Sequence, residues 1–317
     1  MGIPRVRQSL GLGLVVMAGA MLPGAETGPR VPAPTPTALE AHARSVLHQI
    51  MVSEQSWVRI HAAEALIAAG EADAIRAYFL TELPRTESSA FRIGVYRVLA
   101  TVSRSPEERN AWIAKVEQVY LDQNASDQNQ AIETLCKLRY RVSGRTLELV
   151  RRRMAEPPSA PMALALWSAT LEGEPHALEG LTQLLTAEDP ALRRSAAYAL
   201  RWLHPSDSAV RQALARAAAA AVPNLNPSSV YILGAAMTVD ADPAHAQDWV
   251  TVLNFVLENN AASVGERFET SWALQRRYPA ADLPSLTGLL DLSPSENDVR
   301  IGAAAIILTT LARESGR

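Results

Sequence analysis

The sequence predicts an all-α protein, an α-solenoid of about eight stacked helix pairs. Composition is the first reason. Of 317 residues, 48% are hydrophobic but only 5% aromatic. Alanine is very frequent, and the common residues are helix formers. Second, no segment shows the apolar–polar alternation of a half-buried strand. Third, one pattern recurs along the chain. In "SWVRIHAAEALIAAG" (residues 56–70), Arg59 is followed by Ala62-Ala63 and Leu66. "RRSAAYAL" repeats this with Arg193, Ala196-Ala197 and Leu200, and "RIGAAAII" with Arg300, Ala303-Ala304 and Ile307. Looser copies start at Arg92 and Arg267, and copies without the arginine at Gln128, Ala163 and Ser229. Consecutive anchors lie 30 to 38 residues apart. Such a period marks stacked units, each too small to bury its apolar face alone.

Residues 1–25 read as a signal peptide. Arg5 and Arg7 form a basic start, "LGLGLVVM" an apolar core, and "AGA" (18–20) a small-residue cleavage motif, with a second option after Ala25. The core is shorter than the roughly 20 residues that cross a bilayer. We therefore expect an exported chain, periplasmic or secreted, with no transmembrane span once processed; a retained N-terminal membrane anchor is the alternative. No cysteine near the cleavage region offers a lipid-attachment site. Residues 26–37 form a Pro-rich stretch that reads as an extended tether. The helical domain is expected over 38–317.

The formal charge is -3, and losing Arg5 and Arg7 takes it to about -5. A general nucleic-acid binder would carry a net basic face instead. Cys136 is the only cysteine, so no intrachain disulfide can form. It lies among apolar neighbours in "AIETLCKL" and reads as a buried thiol.

Within the domain, each anchor helix follows another apolar-periodic segment, such as 73–83, 111–121 and 177–185. Ser105-Pro106 with Glu108, Asp189-Pro190 and Asp242-Pro243 read as helix starts. The carboxylates there are expected to cap helices, and Asp240 with Asp242 is not read as a catalytic pair.

"DPALRRSAAYALRWL" (189–203) and "NDVRIGAAAIIL" (297–308) resemble HEAT repeats, including the related phycobilisome-lyase type. The likeness covers residues 40 to 315 and is sharpest in the first, fifth and eighth units. It implies that an Asp or Asn opens the second helix of each pair, with an Arg in its first turn. It also implies binding along the concave face of the superhelix.

Counted from each anchor, offsets three, four, six and seven are nearly all small or apolar, as core positions should be. Offsets two, five and nine vary and are expected to line that concave face. They include His61, Glu64, Arg97, Glu133 and Lys137 in a charged N-terminal half. They include Tyr198, Trp202, Tyr231, Glu269, Trp272 and Arg276 in a mainly aromatic C-terminal half. With Trp57 beside them, the candidate binding residues are Trp57, His61, Glu64, Arg97, Tyr198, Trp202, Tyr231, Glu269, Trp272 and Arg276. Aromatics and arginines favour binding surfaces. The anchor arginines are expected to bond Asp side chains or helix-end carbonyls. The basic run 137–153 ends at Arg151, Arg152 and Arg153, where positive charge suits a helix C-terminus.

The last helix, 299–312, is apolar nearly all round. A terminal repeat normally shows water a polar face. Either this helix tucks inward or it is a seam for a homodimer.

Nothing in the sequence marks an enzyme: it has no Gly-rich phosphate loop, nucleophile elbow or paired metal-binding histidines. No cofactor or metal is expected. The first functional reading is a non-enzymatic exported scaffold that binds a protein partner. The alternative is an enzyme, or accessory subunit, acting on a small molecule or glycan in the groove near His61 and Glu64.

Overall fold

The computed structural model describes residues 34–316, which hold sixteen α-helices and three 3-10 helices and no strand. The expected signal peptide (1–25) and residues 26–33 of the expected tether therefore lie outside the described residues. The helices pack as sequence neighbours. α1 (Pro36–Ser53) pairs with α2 (Trp57–Ala68), and α3 (Ala72–Thr86) with α4 (Arg92–Thr101). α5 (Pro106–Leu121) pairs with α6 (Gln128–Lys137), and α7 (Gly144–Met154) with α8 (Ala160–Glu172). α9 (Ala177–Leu184) pairs with α10 (Pro190–Leu203), and α11 (Ser208–Ala221) with α12 (Pro227–Thr238). α13 (Ala246–Glu258) pairs with α14 (Val264–Leu274). The short α15 (Thr287–Leu290) follows a 3-10 helix (Ala280–Leu286) and packs on α16 (Asn297–Glu314).

Local chemistry sets the helix starts. Pro36 opens α1 behind Thr35, whose hydroxyl accepts from the Ala38 amide at 3.2 Å. The last residues assigned to the tether are thus helical. Ser105 caps α5 and Asp189 caps α10, as their sequences predict. Asp242-Pro243 instead makes a turn ahead of α13, which starts at Ala246.

The anchor arginines behave as expected. Arg59 Nε donates to the Met51 carbonyl at 3.0 Å, Arg267 Nε to Leu257 at 2.9 Å and Arg300 Nε to Leu290 at 2.9 Å. Each carbonyl lies in the last turn of the paired helix, where no amide within the helix can reach it. Arg193 reaches the Ala187 and Glu188 carbonyls just past α9. Arg92 forks onto Asp127 of the following pair at 2.8 and 3.0 Å. A guanidinium suits this task because it presents several donors in a plane and complements the negative end of a helix.

Each even-numbered helix from α2 to α14 packs on the next even-numbered one. That stacking alone does not fix the curvature, but α16 also packs on α1 and α2. The ends meet, and the even-numbered helices close a ring. The reason lies in α16, whose Val299, Ile301, Ile306 and Ile307 are fully buried. Its apolar faces meet α1, α2, α14 and α15 within the same chain. The dimer seam expected at 299–312 is therefore covered internally. Close approach relies on small residues: a methyl on Gly302 would run into the Ser271 side chain of α14, and one on Gly94 would lie 2.8 Å from Trp57. No described helix is long and apolar enough to cross a membrane.

Candidate functional site

Closure changes what the variable stripe does. The charged and aromatic halves do not lie at opposite ends of an open groove; they face each other around one cavity of about 280 Å³. Of the ten candidate residues, His61, Glu64, Arg97, Tyr198, Trp202, Glu269 and Trp272 line it. Arg276 lines an adjoining recess of about 370 Å³, which shares Arg201, Trp202 and Trp272 with the first. Trp57 and Tyr231 do not line it but touch residues that do. Trp57 lies under the Arg97 guanidinium, 5.7 Å from ring centre to carbon, and Tyr231 packs on Tyr198 with centroids 6.3 Å apart.

The interior charges are tied across the ring. Arg97 of α4, 4% exposed, donates from Nε to Glu64 of α2 at 2.6 Å and from Nη1 to Thr134 of α6 at 3.1 Å. Lys137 Nζ meets Glu133 one turn earlier at 2.8 Å. The Tyr198 hydroxyl of α10 donates to the same carboxylate oxygen at 2.7 Å. Arg201 of α10 pairs with the buried Glu269 of α14. His61 of α2 stacks on Phe268 of α14 at 4.7 Å and meets Asp298 of α16 at 3.2 Å. Each interior carboxylate therefore has a cationic or imidazole partner.

These partners set protonation. Burial alone would raise the Glu64 carboxyl, but Arg97 and Lys137 outweigh it and hold it below the usual carboxylate range. Burial likewise opposes Glu133 ionisation, and Lys137 outweighs it. Burial, then Arg97, pulls Lys137 below the usual lysine range. Burial and then Glu133 push the Tyr198 phenol well up, so it stays a donor. Lys137 also faces two rings, with its Nζ 5.4 Å from the Tyr198 centroid and 5.3 Å from that of Trp202.

Phe268 and Arg201 also line the cavity, and both fall outside the stripe of offsets two, five and nine. Each sits one residue before a candidate, Phe268 before Glu269 and Arg201 before Trp202. A broader inner face, including the helical neighbours Phe268 and Trp272, would have found them. Offset two is less uniform than expected, because Gly94 and Gly302 serve helix contact. The basic run 137–153 is largely engaged: Arg151 pairs with Glu174, and Arg153 donates to Gln128. Cys136 is buried, as predicted.

Compared with known proteins, the chain matches no family model, no curated protein and no solved structure.

Proposed function

We propose that this chain is a non-enzymatic, exported binding protein, a HEAT-like array of eight helix pairs whose inner face receives a protruding segment of a protein partner. One observation carries the reading: seven candidate residues from α2, α4, α10 and α14 converge on one cavity. Tyr198, Trp202, Phe268 and Trp272 supply an aromatic wall with area for desolvated contact. The cavity takes side chains or a short segment, not a folded surface. Prior pairing of the interior carboxylates favours recognition, since a general base must be free to take a proton.

Peptides selected from a displayed random library against the full chain test this reading. Trp272 is partly exposed and makes no hydrogen bond to another element among the described residues, so Trp272→Ala should keep the fold. Selected peptides should bind it at least tenfold more weakly and should alter tryptophan fluorescence in the parent. Equal binding to parent and variant overturns the assignment to this cavity.

A further inference from the structure

The recess beside the cavity differs from it in charge. Arg201 and Arg277 both line it and both have carboxylate partners, Glu269 and Asp240. The Asp240 carbonyl is held as well, accepting from Arg211 Nη2 at 2.5 Å. Arg276 also lines the recess and is exposed, and among the described residues no carboxylate pairs with it. Arg139 approaches from α6's end, its Nη1 3.5 Å from the Trp202 carbonyl. His204, the left-handed residue closing α10, also faces the recess. Burial, then Arg276, Arg139 and Arg201, lower its imidazole, so it adds little charge near neutral pH. Arg276 is thus the uncompensated positive charge of the lining itself, and Arg139 beside it also has no carboxylate partner among the described residues.

Among the described residues, and setting aside Arg201 with its Glu269 partner, two buried donors of lining residues have no acceptor: Gln275 Nε2 and Trp202 Nε1. Buried N–H groups are rarely left unbonded, and doing so costs free energy. Orphaned donors with a spare guanidinium call for an acceptor that carries negative charge. The positive surplus at the recess matches an anion, and one lining guanidinium with neutral donors beside it suits a carboxylate.

We propose that this recess binds a carboxylate, held by Arg276 with Gln275 and Trp202 as neutral donors, while the ligand's apolar part enters the aromatic cavity across Trp202 and Trp272. This rests on the interior being a binding face, and it narrows the ligand to one ending in a carboxylate. That group could come from a peptide C-terminus or from a small apolar acid.

Calorimetric titration of the full chain tests it with four probes: an apolar tripeptide with a free C-terminus, its C-terminal amide, hexanoate and inorganic phosphate. The free tripeptide or hexanoate should bind, the amide at least tenfold more weakly. A peptide source is indicated if the free tripeptide outbinds hexanoate, a small-acid source if the reverse holds. Binding should raise the His204 imidazole pKa, followed by NMR, because a negative charge arrives beside it. Arg276→Gln should keep the fold and lose at least tenfold in affinity. Gln275→Met removes an orphaned donor, so it should weaken binding without lowering stability. Equal binding of acid and amide, or preference for phosphate, overturns the carboxylate site but leaves the cavity reading intact. No binding by any probe counts against both. If Arg276 only complements the C-terminal ends of α10, α12 and α14, Arg276→Gln will lower stability and leave affinity unchanged, which also overturns the proposal.

Discussion

Asp298 of α16 lies 3.2 Å from His61 of α2, although 237 residues separate them in sequence. Beside them Asn297 Nδ2 donates to Glu54 Oε1 at 2.7 Å, and His42 meets Asp291 at 3.2 Å. These polar contacts flank an apolar seam in which α16 covers α1 and α2. Polar pairs of this exposure add little on their own, so the seam's strength lies in packing.

Packing at the seam's other side is the most direct target. Gly302→Ala puts a methyl where the Ser271 side chain stands. We expect a loss of about 1–3 kcal/mol in urea unfolding, the usual cost of overfilling a core. Ser271→Gly in the same chain should restore part of that loss. If the two changes simply add, the steric account fails.

The charge network should respond asymmetrically. Arg97→Met leaves Glu64 half-buried without its guanidinium and removes the Thr134 contact. We expect a loss of about 3 kcal/mol or more. The double change Arg97→Met with Glu64→Leu should recover part of it, because no orphaned charge remains. Unfolding curves of both variants at pH 7 measure this.

Acid should weaken the fold through the same groups. Glu64 and Glu133 are held below the usual carboxylate range in the folded chain. The unfolded chain therefore takes up protons first as pH falls. The stabilisation is fully present above the ordinary glutamate value of about 4.3. It is lost as pH drops through the lower folded values. Unfolding at stepped pH from 7 to 3 should show this decline, and Glu133→Gln should flatten it.

Cys136 should be inert while the chain is folded. It is 2% exposed, and burial pushes its thiol well up. The thiolate is the reactive form. An aromatic disulfide reagent at pH 8 should label it only after denaturant unfolds the chain. Fast labelling of the native chain would show that α6 opens readily.

Much of the architecture was legible because it is local. Arg59, Arg193, Arg267 and Arg300 sit at a fixed place in their helices, and each bonds a carbonyl near the end of the paired helix. Helix packing in neighbouring pairs follows from the same spacing. Closure was not legible, because no local pattern encodes the meeting of α1 with α16. The one available sign was the apolar girth of 299–312, which fits an internal seam as well as a dimer. The site was read in two halves for the same reason. The stripe found Glu64, Tyr198 and Trp272 by offset but could not bring His61 against Phe268. Arg201 and Phe268 were omitted because a stripe of fixed offsets is narrower than the inner face of a ring.

Closure also bears on how such a chain can change size. An open stack can gain or lose a unit at either end, leaving its other contacts alone. Here an inserted helix pair would pry α1 from α16 and uncover both. The perimeter is fixed by a seam that all the intervening units must span together. Exchanging the side chains that face inward leaves that perimeter alone, so the interior can be relined far more easily than it can be enlarged.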